Sequence, residues 1–283
     1  MSNRYLRIGF IGGGNMAYAI VSGLIKADHD PGCLHIADPI QEQRDRIKAL
    51  NQELQVTSTN PDAAEDAEML VLAVKPQVME SAVASLAGIN RPSGQMIISI
   101  AAGITVSALK KWFDPTGAVV RIMPNQPAQV AAGMSVLTAS PETTDQQRDQ
   151  ALYVAQSIGK AEWVEEENLL DAVTAISGSG PAYFYLLMEI MEACAIDMGL
   201  PEQLARVLAR QTALGSSQVA DASDLSLKQL REEVTSPGGT TAAALAVLEQ
   251  AGFRDIVSKA LKTARNRSVE LGTADKSHPN GNH

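Results

Sequence analysis

The chain has 283 residues, 45% of them hydrophobic, enough for two domains and a sizeable core. Its formal net charge is −9 with no basic block, which argues against nucleic acid as the main partner, and no apolar run is long enough for a membrane span. Cys33 and Cys194 form no motif and no histidines pair at ligand spacing, so neither a disulfide framework nor a metal site is expected. A reducing cytoplasm is the expected compartment, since the first strand candidate follows Met-Ser-Asn-Arg too closely for a signal peptide.

Residues 6–11 are that strand candidate. Gly12-x-Gly14-x-x-Ala17 follows, and Met16, Ile20 and Leu24, with Val21 and Ile25, then give two apolar rows at helical spacing. Gly12 permits a sharp turn, Gly14 lets a pyrophosphate approach the backbone, and Ala17 lets the helix pack on the strand. The order of strand, glycine turn and helix favours dinucleotide binding over a plain structural turn.

Further strand candidates lie at 33–37, 69–74, 95–100 and 118–123, alternating with helical patterns such as Gln41 to Leu50 and Val78 to Leu86. Such alternation predicts an α/β domain with a Rossmann-like parallel sheet covered by helices. The 33–37 candidate runs into Asp38-Pro39. Asp38 lies 24 residues after Gly14, near the usual place of the acid that binds a ribose 2′-hydroxyl. An acid there accepts hydrogen bonds from NADH and repels the 2′-phosphate of NADPH, while Arg44 or Arg46 on the next helix is within reach of a phosphate. Ligands of such sheets bind at the carboxyl ends of the strands. Those ends read Ala73-Val74-Lys75-Pro76, Ser99-Ile100-Ala101-Ala102-Gly103 and Arg121-Ile122-Met123-Pro124-Asn125. Their small residues and prolines leave space for a flat ring and its ribose. A strand at 133–139, a helix from about Thr143 to Ile158 and a short strand at 161–164 complete the first half.

From Glu165 onward no strand is expected. Pro181 opens a helix that runs to Met198 and ends at Gly199. It is apolar on most sides, which predicts burial all round and favours an interface with a second subunit over the centre of a monomeric bundle. Pro201 starts another helix, and Ser226-x-x-Gln229 is a capping box opening a third. Ser236-Pro-Gly-Gly239 stops it, a helix resumes at Thr240, and a final helix spans about Arg254 to Leu271. The predicted division is a dinucleotide-binding domain over 1–164, an all-α domain over 165–271 and a disordered polar tail over 272–283. The Gly-rich turn 235–241 suits a carboxylate, through backbone N–H groups and hydroxyls. It suits equally an ordinary helix connection with Thr240 as N-cap.

Several segments carry a resemblance. They are Gly9-Phe-Ile-Gly-Gly-Gly-Asn-Met-Ala17, Ala73-Val-Lys-Pro76, Ser99-Ile-Ala-Ala-Gly103, Arg121-Ile-Met-Pro-Asn125, Ser177-Gly-Ser-Gly-Pro-Ala182 and Val234-Thr-Ser-Pro-Gly-Gly-Thr-Thr241. Spread in order over nearly the whole chain, they resemble the pyrroline-5-carboxylate reductase family. The resemblance implies reduction of 1-pyrroline-5-carboxylate to L-proline with NADPH or NADH as cofactor. It also implies a dimer whose helical domains interlock, often assembled into a ring of dimers. Nucleotide contacts would fall on Ile11, Gly12, Gly13, Gly14, Asn15, Met16, Asn60, Ala73, Val74, Lys75, Pro76, Ile100, Ala101 and Ala102. Substrate contacts would fall on Glu167, Ser236, Gly238, Gly239, Thr240 and Thr241, with Ser236 and Thr241 nearest the chemistry. One departure is Glu233, where some members carry an asparagine that touches the cofactor; a carboxylate would repel phosphate, and that contact is not carried over. Two rivals remain. A β-hydroxyacid dehydrogenase needs a lysine four residues after Gly180, where Phe184 stands. A non-catalytic NAD(P)-sensing regulator has no use for the 236–241 loop.

Overall fold

The structure, a computed structural model, describes residues 3–114 and 116–274. Eight strands form one sheet in the order β3-β2-β1-β4-β5-β6-β7-β8. β1 (Ile8–Ile11), β2 (Leu34–Ala37), β3 (Gln55–Thr57), β4 (Met69–Leu72), β5 (Met96–Ser99) and β6 (Val119–Met123) are parallel. β1, β4 and β5 are buried along their whole length, which is why they read as unbroken apolar runs. β3 escapes that signal, being three residues long, polar and only partly buried.

β7 (Gly133–Ala139) runs antiparallel to β6, and β8 (Gly159–Trp163) runs parallel to β7. The parallel expectation therefore stops at β6. Residues 124–132 hold only a 3₁₀ turn, Gln126–Val130. A parallel return needs a crossover of about a dozen residues or more, so this short link reverses the chain direction.

Helices α1 (Asn15–Lys26), α2 (Gln41–Lys48), α3 (Asn60–Ala64), α4 (Pro76–Ala84), α5 (Val106–Trp112) and α6 (Asp145–Gln156) connect the strands. Alternate strand residues feed two cores. Phe10, Val71, Ile98 and Val120 pack with Ile20 and Leu24 of α1, while Ile11, Leu70, Leu72 and Ile97 pack with Met79 of α4 and Leu109 of α5.

The chain divides into two compact units, one of residues up to 178 together with those from 264 onward, the other of residues 179–263. In the first unit, α7 (Leu169–Val173) runs into a π-helical turn, Thr174–Gly178. Ser268 donates a hydroxyl hydrogen bond of 2.6 Å to Asp171, fastening the end of α12 (Phe253–Ala274) to α7. Residues 272–274 of the expected tail are thus helical, and 275–283 lie outside the described residues.

The second unit contains α8 (Gly180–Asp197), α9 (Glu202–Ala222), α10 (Leu227–Glu233), α11 (Thr240–Gln250) and the start of α12. The capping box forms as read: Ser226 Oγ accepts from the Gln229 N–H, and Gln229 Oε1 accepts from the Ser226 N–H. Burial all round does not hold for α8 within one chain. Only Gly180 and Ala195 of that helix are buried, and Phe184, Leu186 and Ile190 are 60%, 56% and 50% exposed.

Candidate active site

The nucleotide residues expected from the sequence begin at the turn between β1 and α1. Gly12 takes φ of +99°, and its N–H donates to the Ala37 carbonyl at 2.8 Å. A Cβ there would lie 2.8 Å from the Ala73 carbonyl oxygen, so glycine is required by the backbone itself. Gly14 differs. Its φ is −67°, and a Cβ built on it would meet nothing within 4 Å. This open space lies at the start of α1, which has no side-chain cap; its first N–H groups have no intrahelical partner and favour an anion. β1 sits between β2 and β4, where the strand order reverses, the position at which such sheets bind ligands.

The other expected nucleotide residues gather by the same topology. Asp38 follows β2, Ala73–Pro76 follow β4, and Ile100–Ala102 follow β5. The backbone stitches these ends together, with the Ala73 N–H donating to Ile11 and the Ile100 N–H to Leu72. Lys75 is exposed at the N-cap of α4. Asn60 opens α3, and its side-chain amide donates to Ser85 at the end of α4, 2.9 Å away. Asp38 is only 8% exposed, and its two oxygens accept from backbone N–H groups, Oδ2 from Gly13 at 2.7 Å and Oδ1 from Ile40 at 2.8 Å.

Glu167 stands just before α7. Its Oε1 accepts from the Val106 N–H at 2.8 Å and from Arg121 Nη1 at 2.6 Å. The carboxylate therefore caps α5 and pairs with an arginine on β6 that is largely buried. Asn125 bridges in a similar way: its amide donates to the Ser177 carbonyl at 3.0 Å and accepts from the Met134 N–H at 2.9 Å. It thereby fixes the π-helical turn to β7. Sequence reasoning had Arg121 and Asn125 only as parts of a strand end. Their signal was polar residues inside an apolar strand and its exit.

In the second unit, α10 ends at Glu233, and the turn to α11 is built by its own atoms. Thr235 donates its hydroxyl to the Arg231 carbonyl, the Gly239 N–H donates to the Ser236 carbonyl, and Gly238 takes φ of +72°. Gly239, not Thr240, is the N-cap, and no side chain caps the helix. The reading of Thr240 as an ordinary cap is thus corrected. The first N–H groups of α11 carry no intrahelical bond, beside the hydroxyls of Thr240 and Thr241. Ser236 and Thr240 are exposed and Thr241 half-buried. Glu249 of α11 accepts from Arg254 Nε and Nη2 at 2.8 and 2.6 Å and lies 3.9 Å from Arg231, linking α11 to α12 and to α10.

A glycine turn at the switch point of a largely parallel sheet, followed in the chain by a helical unit, defines a nicotinamide-dinucleotide oxidoreductase. Residues 7–103 match the model of the family described as NADP oxidoreductase, coenzyme F420-dependent, and residues 167–271 match that of pyrroline-5-carboxylate reductase dimerisation. The chain is 42% identical over 265 residues to the pyrroline-5-carboxylate reductase of Pseudomonas aeruginosa, covering 94% of this chain and 96% of that one. A solved pyrroline-5-carboxylate reductase from Coxiella burnetii is similar with a TM-score of 0.86 at 36% identity, over 94% and 98% of the two chains. The pyrroline carboxylate reductase of Plasmodium falciparum, solved with NADP bound, gives 0.83 at 29%, again over 94% and 98%. The chain belongs to the pyrroline-5-carboxylate reductase family. Its helical unit carries the means of self-association.

Proposed function

We propose that the chain reduces 1-pyrroline-5-carboxylate to L-proline with NADPH or NADH, the last step of proline biosynthesis. The observation that carries this is the 42% identity over 265 residues, 94% of the chain, to a pyrroline-5-carboxylate reductase.

The residues fit a dinucleotide, because Gly14 leaves room beside unpaired helix N–H groups. NAD(P)H, when bound, would supply the hydride that the imine carbon takes up. The turn before α1 would hold the pyrophosphate, with the residues after β4 and β5 as further cofactor contacts. In the second unit the N–H groups at the start of α11, with Gly238, Gly239 and the Ser236 and Thr240 hydroxyls, hold the substrate carboxylate. The Thr241 hydroxyl orients the ring nitrogen. Glu167 is assigned to the substrate as well. The protonated imine is already an electrophile, so the site has to supply position and charge placement rather than a protein acid. Phe184 where a carbonyl-reducing dehydrogenase needs lysine agrees with this.

The proposal extends to a dinucleotide-binding domain over 1–164, a substrate and dimerisation domain over 165–271, dimers joined into a ring, and a cytoplasmic location. The two cysteines are free, and among the described residues no helix is long and apolar enough to cross a membrane. The test is NAD(P)H oxidation with 1-pyrroline-5-carboxylate beside a panel of 2- and 3-oxo acids, with and without EDTA. Turnover of the imine alone, unchanged by chelator, is expected. Preference for an oxo acid, or loss of activity with EDTA, overturns the reading.

A further inference from the structure

We propose that Arg46, held against the first turn of α1, selects NADPH over NADH, and that Asp38 positions the glycine loop for either cofactor. The inference rests on the dinucleotide reading of the first unit and not on the identity of the imine.

The end of β2 is where the adenosine ribose of a bound dinucleotide lies, and an acid there ordinarily favours NADH. Here that acid faces inward. Both Asp38 oxygens are taken by backbone N–H groups, one from the glycine loop and one from the start of α2. Gly13 is pressed between Asp38 and Ile47 of α2, so the loop, the acid and the helix form one packed unit. A carboxylate used in this way holds the loop in shape.

The cations of α2 are placed differently. Arg46 Nη1 donates to the Asn15 side-chain oxygen at 2.6 Å, and its guanidinium carbon lies 4.1 Å from the centre of the Tyr18 ring. Asn15 and Tyr18 are three apart on the first turn of α1, so the planar charge lies along the helix end that opens the glycine turn. Arg44 donates through Nη1 to the Asp38 carbonyl at 2.7 Å and through Nη2 to Gln41. Of the acids on α2, Asp45 accepts from the Gln41 amide, and Glu42 is exposed in the first turn. Among the described residues no carboxylate lies within ion-pair distance of Arg44 or Arg46. Two guanidiniums with neutral partners, beside a carboxylate already taken up by backbone, leave a positive field where the two cofactors differ by one phosphate. A guanidinium is the side chain suited to such a group.

The test measures Kd for NADPH and NADH without substrate, on the full chain, with Tm as a folding control. Arg46→Gln is expected to raise Kd for NADPH by about tenfold to a hundredfold and leave NADH within about twofold, as for loss of one charge-assisted contact. Arg46→Lys should recover part of the NADPH affinity. Asp38→Asn should weaken both cofactors together, with Asp38→Ser as the second variant if that one does not fold. An unchanged ratio in Arg46→Gln, or a several-fold shift toward NADPH in either Asp38 variant, overturns the proposal. If the wild type binds both dinucleotides but does not turn over the imine, the substrate reading fails and this one stands. If it binds neither, both fail.

Discussion

Two glycines in one turn have different physical grounds, and substitution separates them. Gly12→Ala places a Cβ against the Ala73 carbonyl in a backbone region that L-residues avoid, and should cost about 2–4 kcal/mol of stability by urea denaturation. Gly14→Ala meets no protein atom and no strain, so stability should change by less than about 1 kcal/mol while cofactor Kd rises at least about tenfold. A Gly14 variant with wild-type affinity would remove the pyrophosphate from this turn. His29, at the other edge of the sheet, makes a pH prediction. Its Nε2–H donates to the Leu6 carbonyl, so Nδ1 of the neutral ring accepts from the Tyr153 hydroxyl. Burial lowers its pKa below the ordinary 6.5. Below pH 6.5 the unfolded chain therefore binds a proton that the folded chain refuses, until the folded pKa is passed. Stability should fall as pH drops through that window, and His29→Gln should lose less between pH 7 and 5 than the wild type. Parallel pH slopes in urea denaturation would exclude this role.

At the scale of elements, the turn between α10 and α11 is an uncapped helix start flanked by hydroxyls. Thr241→Ala removes one of them without touching the backbone of the turn, and should lower kcat/KM for the imine by about tenfold to a hundredfold. Cofactor Kd should stay within about twofold, because Thr241 is assigned to the substrate. Unchanged kcat/KM would take Thr241 out of the site. The strands show what patterning can and cannot carry. The fully buried β1, β4 and β5 were legible as apolar runs, whereas β3 left no pattern to find. The direction of β7 was not read, because direction depends on what a link can span, and 124–132 is short. α7 and its π turn were missed for a related reason. Their single fully buried apolar anchors, Leu170 and Ala175, make no periodic stripe.

At the scale of the whole molecule, α8 is the helix expected to meet a second chain. A helix this apolar that leaves Phe184, Leu186 and Ile190 half or more exposed holds surface that water does not favour, and the family of this unit is one of dimerisation. The wild type should run as a dimer or larger by light scattering at micromolar concentration. Ile190→Asp puts a charge into that exposed apolar face and should both dissociate the assembly and lower Tm. A monomeric wild type, or an Ile190→Asp variant of unchanged mass and Tm, would place the interface elsewhere.

The sequence by itself determined the fold class, the dinucleotide turn, the helical second half and the family, because each depends on local order: strand before glycines, glycines before helix, signature segments in sequence. It also placed the residues expected to hold the cofactor at one end of the strands, since parallel alternation brings their strand ends together. What only the tertiary structure decided is where charged side chains point. Asp38, at the expected position for a ribose acid, is drawn inward by the N–H of Gly13, 25 residues away in the chain, and by that of Ile40, two residues on. Glu167 is engaged by Arg121, 46 residues away, and by the start of α5. A carboxylate goes to the donors nearest in space, and those donors are set by packing, which no spacing along the chain records.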